Sequence, residues 1–177
     1  RVKTLYRIIC RLVTFISSMS PHVITWPNDD EKEDIATAFA ATGFPNVIGI
    51  VGGCHIRLDK PAEDPKSYIN RKGYYSIQMQ IVCDDRKRIR DVFIGYPGSV
   101  CKSTVFSKSQ LYSNLSQKCG TYILIADNSY TLTKQIMTPY KNKKLLTTAQ
   151  IYYNEMLKKN RLRITHTFGM LKQKFCQ

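Results

Sequence analysis

Asp127 is the residue of this chain whose type and place most suggest chemistry. It closes the apolar run from Tyr122 to Ala126, and the ends of buried strands are where α/β proteins gather their reactive groups. A carboxylate there is the oxygen ligand that hard cations prefer. Before Asn128-Ser129 it can equally be a turn-forming aspartate. The other candidates are weaker. His55 has no identifiable partner to make it a general base and reads as a structural, hydrogen-bonding histidine, and His166 reads as a surface one. The cysteines (Cys10, Cys54, Cys83, Cys101, Cys119 and Cys176) form no C-x-x-C pair and have no histidine at finger-like spacing, which argues against zinc.

Positive charge is the stronger signal. Lys and Arg number 27 against 13 Asp and Glu, a net charge of +14. The excess is spread along the chain rather than packed into one tail. An acidic polymer is the natural partner: DNA, RNA or an anionic membrane surface, with nucleic acid favoured. Asn70-Arg71-Lys72-Gly73 could contact phosphate, or simply form the loop into the next strand. Lys158, Lys159, Arg161, Arg163, Lys172 and Lys174 could line a DNA groove, or form a solvated helix face. The tyrosines, including Tyr74, Tyr75, Tyr152 and Tyr153, read mostly as packing groups.

The elements that must position these groups can be read from periodicity. Leu5, Ile8, Ile9, Leu12, Phe15 and Ile16 recur at helical spacing, and Ser20-Pro21 ends that helix. The stretch is too short, and with Arg7 and Arg11 too charged, to span a membrane. Asn28 with Asp29, Asp30 and Glu31 reads as a capped helix start. Val47 to Val51 is a buried strand, ended by Gly52-Gly53. From Tyr74 to Asp84 the pattern alternates, with Tyr75, Ile77, Met79, Ile81 and Cys83 on one face and Ser76, Gln78 and Gln80 on the other. A turn at 84–87 and a return strand from Ile89 to Tyr96 complete a hairpin. One helix is expected from Ser103 to Leu115, a strand from Tyr122 to Ala126, and a helical turn from Leu132 to Met137. A long helix capped by Thr147 or Thr148 follows, running to about Phe175. The expectation is an α/β fold: a mixed sheet flanked by helices, compatible with an RNase H-like core. Without a signal peptide, the thiols read as reduced and intracellular. With Arg1 first and Gln177 inside a helical pattern, the chain reads as a piece of a longer protein.

Several stretches, in order, make the chain resemble the PIF/Harbinger transposases and their host-domesticated nuclease relatives. They are Gly43-Phe44-Pro45-Asn46-Val47-Ile48-Gly49, Val51-Gly52-Gly53-Cys54-His55-Ile56 and Tyr68 to Ser76, followed by Tyr96-Pro97-Gly98-Ser99-Val100 and Ile125-Ala126-Asp127-Asn128-Ser129-Tyr130. Thr138-Pro139-Tyr140, Tyr153-Asn154 and Phe168-Gly169-Met170-Leu171-Lys172 close the series. The resemblance implies an RNase H-like DDE nuclease domain over residues 43–177, shortened at its C-terminus, behind a helical segment at 1–42. It implies DNA as substrate, a Myb-like DNA-binding partner protein, no membrane, and a nuclear location, with the cytoplasm as the alternative. It also implies Mg²⁺ or Mn²⁺ held by an Asp-Asp-Glu triad, two such ions stabilising the entering and leaving oxygens of a phosphodiester.

This chain departs from that pattern at the triad itself. The position of the first aspartate is Gly52, that of the glutamate is Thr165, and a further family aspartate falls on Lys102, with Cys101 beside it in place of histidine. Asp127 alone remains as a catalytic and metal-binding carboxylate. Asp59, Asp84, Asp85 and Glu155 are not placed to compensate. The expectation is therefore weakened metal binding and impaired cleavage, with Arg71, Lys72, Lys102, Arg161, Arg163 and Lys172 as candidate DNA contacts. The alternative is a non-enzymatic DNA- or protein-binding scaffold, or an element copy with no selected role.

Overall fold

The computed structural model describes residues 2–141 and 145–175; Cys176 lies outside them. Five strands form one sheet in the order β3-β2-β1-β4-β5. The central strand β1 (Val47–Arg57) runs antiparallel to β2 (Ser76–Cys83) and parallel to β4 (Ile123–Ile125). At one edge β3 (Ile89–Pro97) pairs antiparallel with β2, and at the other β5 (Ile136–Met137) pairs parallel with β4. This is the mixed, open, helix-flanked sheet expected of an RNase H-like fold.

β1 differs from its sequence reading. Gly52-Gly53 does not end the strand, which runs on for 11 residues. The hairpin supplies the reason: Gly52 pairs with Ile81 and Gly53 with Gln80, so β2 carries the glycines through as strand. Val47, Ile48, Ile50 and Val51 are each at most 1% exposed, and burying one such side chain contributes about 1.5–3 kcal/mol. The face of β2 expected to be polar is also covered: Ser76, Gln78 and Gln80 are all buried. Ser76 and Gln78 have partners there, with Asn70 donating to Ser76 Oγ and the Gln78 amide donating to the Val100 carbonyl. The tight turn that brings Val100 in needs Gly98, because a Cβ there would collide with Ser76 and stand 2.7 Å from the Tyr68 carbonyl.

Three helical readings also change. The helix expected from Ser103 to Leu115 is three short ones, α4 (Lys102–Ser107), α5 (Gln110–Ser113) and α6 (Leu115–Cys119). Ser109 breaks the run: its hydroxyl donates to the Phe106 carbonyl and accepts from Tyr112 N–H, capping a new turn. The turn expected at Leu132–Met137 is instead the edge strand β5, drawn into extended pairing by Leu124 and Ile125. Helix α1 (Val2–Ser18) is followed by a further turn, α2 (Ser20–Val23), because Pro21 in a first turn needs no N–H partner. α1 buries none of its residues, leaving its apolar face exposed. Pro65–Tyr68, within the expected loop region, forms a 3-10 turn.

α3 (Asp29–Ala40) and α7 (Thr148–Lys174) lie on one face of the sheet, joined by the Arg163 guanidinium 5.0 Å from the Phe39 ring and by Asn160 Nδ2 donating to the Thr42 carbonyl at 3.3 Å. Both helices carry capping boxes, Asn28 with Glu31 and Thr147 with Gln150. The Glu31 carboxylate does a second job. It accepts from Arg90 Nη2 at 2.7 Å, and Arg90 Nε donates at 2.9 Å to Asp84, which is fully buried. Asp84 also accepts from the Arg88 side chain and backbone, both at 2.9 Å. This ties the start of α3 to the hairpin turn.

Removing one partner of a buried ion network leaves the others as uncompensated charges, at a cost of about 3–5 kcal/mol. Asp84→Ala is expected to lower stability by about that amount. Urea denaturation followed by circular dichroism checks it; a midpoint unchanged from wild type rules out a structural role for the network.

Candidate active site

Asp127 lies two residues past the end of β4, where Ile125 pairs with Ile50 of β1. Adjacent residues of a strand point to opposite faces, and here Gly52 and Gly53 of β1 face different helices. A Cβ on Gly52 would stand 2.8 Å from Ile164 Cδ1 and 3.5 Å from Phe168 Cε2, both on α7. A carboxylate at that position would have to displace the Ile164 methyl. A Cβ on Gly53 would stand 3.5 Å from both Lys102 Cδ on α4 and the Tyr130 hydroxyl.

Asp127 is thus reached from both faces. From α4, Lys102 Nζ donates to Oδ2 at 3.0 Å; from α7, Arg161 Nη2 donates to the same oxygen at 3.4 Å. The Ser129 backbone N–H donates to Oδ1 at 2.8 Å, so the turn-forming and side-chain-binding roles of Asp127 coexist. Burial works to raise the pKa of this carboxyl, but the Lys102 ammonium and the hydrogen bonds from Lys102 and Ser129 outweigh it, and the group is held below the ordinary carboxylate range. Arg161 as a partner of Asp127 was not legible in sequence, since the two lie 34 positions apart. Nor was Tyr130, which is buried beside them, its ionisation disfavoured first by burial and then by Asp127.

The other expected groups are placed as follows. Thr165 is exposed on α7 and its hydroxyl donates to the Arg161 carbonyl at 3.4 Å. Arg71 and Lys72 are exposed in the turn before β2. Lys172 lines an apolar groove with Cys54, Ile56, Met79, Leu171 and Phe175. Arg163 is turned inward onto Phe39 and Asn160 rather than outward. His55 shares a hydrogen bond of 3.0 Å with Ser76 Oγ, the structural role expected of it, and His166 is exposed. Tyr152, expected to pack, is 63% exposed. An open pocket of about 640 Å³ adjoins the Asp127 turn, lined among others by Ser129, Tyr130, Tyr140, Lys141 and Tyr153.

The donor set decides what this centre could hold. Among the described residues no three His, Cys, Asp or Glu side chains come together as a metal site. Asp127 is one carboxylate, with Lys102 and Arg161 on the same oxygen. Mg²⁺ and Mn²⁺ need more oxygen ligands than this, so the residues present do not fit a two-metal centre.

A mixed sheet with a carboxylate at the end of β4, and a long final helix reaching across to it, is the layout of an RNase H-like nuclease core. The chain belongs to the DDE superfamily endonucleases, whose sequence profile matches residues 51–176. It is 34% identical over 104 residues to HARBI1 of Bos taurus, described as a candidate nuclease, and 33% identical over 104 residues to HARBI1 of Homo sapiens; each match covers 57% of this chain and 29% of the relative. An ALP1-like protein of Arabidopsis thaliana is 26% identical over 158 residues, covering 79% of this chain and 38% of the relative. The chain therefore spans about a third of the length of these relatives. No solved structure matches it significantly.

Two measurements probe this region. A carboxyl whose folded pKa lies below its unfolded value stabilises the fold above the unfolded value, about 3.9, and loses that contribution as pH falls through the folded one. Asp127→Asn is expected to flatten the acid limb of stability against pH, measured by urea melts from neutral pH into the acid range; an unaltered limb contradicts the pairing. The exposed Cys101 thiol shares hydrogen bonds with Ser103 and Thr104, which lower its pKa to about 7, whereas burial pushes that of Cys83 up to about 12. Brief iodoacetamide treatment at neutral pH is expected to label Cys101 well before Cys83, read by peptide mass spectrometry, and equal labelling contradicts it.

Proposed function

We propose that this chain is the core of a transposase-derived DDE endonuclease that engages DNA in the nucleus and has lost efficient metal-dependent cleavage. One observation carries the reading: the Asp127 carboxylate is bonded to Lys102 and Arg161, where the family resemblance calls for metal ions. Gly52 and Thr165 at the other two triad positions support it. Glycine offers no ligand side chain, and the Thr165 hydroxyl is a weak neutral one turned to its own helix. Magnesium or manganese would have to find its remaining ligands in water, and no cleavage step is derived through them.

DNA engagement rests on charge. The net charge of +14 and the exposed Arg71 and Lys72 favour a phosphate backbone. A second reading, that of a scaffold for a Myb-like partner, draws on the exposed apolar face of α1, where Leu5, Ile8, Leu12 and Phe15 are each more than half exposed. Among the described residues no helix is long and apolar enough to cross a membrane.

A supercoiled-plasmid assay with Mg²⁺ and Mn²⁺ tests the main reading. No nicking above background is expected, together with duplex binding that weakens steeply with salt. Metal-dependent nicking abolished by Asp127→Ala sinks it. Capture of a Myb-type protein by a chain without affinity for DNA favours the scaffold.

A further inference from the structure

Two cations meet one carboxylate oxygen at Asp127, so the cluster keeps an excess of positive charge. Burial, and then Lys102, Lys172 and Lys72, push the His55 pKa down. The cluster is also within reach of solvent, the Lys102 and Arg161 side chains being 29% and 26% exposed.

Its polar atoms are not all used. Arg161 Nε is buried without a hydrogen-bond partner. Tyr130 is 5% exposed and its hydroxyl, which lies over Gly53 beside the Lys102 stem, is unpartnered as well. Gln80 pairs with Gly53 and so shares its face; it is 2% exposed, with both side-chain polar atoms unpartnered. A buried polar atom left unsatisfied costs about 1–3 kcal/mol, and such atoms gathered at one place need an explanation, such as a ligand or ordered water. Arginine, lysine and a phenol are all donors, and a group that accepts from them and carries negative charge is a phosphate.

We propose that Lys102, Arg161 and Tyr130, gathered at Asp127, form a metal-independent phosphate site, in which non-bridging phosphate oxygens accept directly from these side chains. The chain's own cations then do what bound metal would do in a triad-bearing relative, drawing a phosphate to the end of β4, but without activating water. A Cβ at Gly53 would lie in ordinary van der Waals contact with both Lys102 and Tyr130, which places these two side chains together over that residue. The inference rests on the DNA reading only for the source of the phosphate. The same chemistry serves a nucleic-acid backbone and a free phosphate.

The test uses the whole chain, a short fluorescein-labelled duplex followed by anisotropy, and inorganic phosphate followed by thermal shift. Duplex affinity is expected to be the same in EDTA and in Mg²⁺. Lys102→Gln is expected to weaken it several-fold and to reduce the salt slope by about one, with Arg161→Gln acting in the same sense. Asp127→Asn, which frees both cations, is expected to strengthen binding, whereas at a metal site it would weaken it. Phosphate is expected to raise the melting temperature of wild type and not of Lys102→Gln. Dependence on Mg²⁺, weaker binding by Asp127→Asn, or a Lys102→Gln chain that binds duplex and phosphate like wild type overturns the proposal. Failure of the DNA reading looks different: phosphate protects wild type but not Lys102→Gln, and the duplex does not bind. Lys102 lies partly in solvent, so its variant folds even if Arg161→Gln does not.

Discussion

The fold depends on a strand that is apolar on both sides. β1 lies between an antiparallel and a parallel neighbour, with α7 against one face and α4 against the other. Neither side chain faces water over Val47–Gly52, so every position there is either a packed aliphatic or a glycine. α7 approaches closely at Gly52, where a Cβ would stand 2.8 Å from Ile164, whereas α4 lies at ordinary contact distance from Gly53. Lys102 from α4 and Arg161 from α7 meet at a single oxygen of Asp127.

Two charged clusters then show opposite uses of burial. Around Asp84, Arg88, Arg90 and Glu31 every strong donor meets an acceptor, and the result is a rigid link between the β2–β3 turn and the N-terminus of α3. Around Asp127 the donors outnumber the acceptors, and buried polar atoms on Arg161, Tyr130 and Gln80 go unused. A fully satisfied network specifies structure; an unsatisfied one raises the question of what else binds. The first cluster is architectural, whereas the second has the composition of a recognition site.

Membership of the DDE superfamily endonucleases gives the fold its ancestry, but the family's chemistry depends on three carboxylates converging at one place. In this chain α7 still crosses the end of the sheet where such a group would be assembled. Ile164 and Phe168 pack against Gly52, and Arg161 occupies Asp127. At this end of the sheet Lys102 and Arg161 both meet the single Asp127 carboxylate.

Much of this was legible in the residues alone. The capped starts at Asn28 and Thr147, the hairpin from β2 to β3, the buried β4 and the structural role of His55 follow from local patterns of one or two turns, because caps and alternation act between near neighbours. The family was legible in the order of its motifs. What the sequence could not decide depended on partners distant in the chain. Gly52-Gly53 stays extended only because β2 pairs with it, and Ile136–Met137 is a strand only because β4 lies beside it. The polar face of β2 is buried because Asn70, the turn at Gly98–Val100 and α4 cover it. Arg161 belongs to Asp127 rather than to solvent, and Arg163 to Phe39, because a helix places residues two apart on different sides and only the packing of α7 on the sheet selects which side meets the carboxylate.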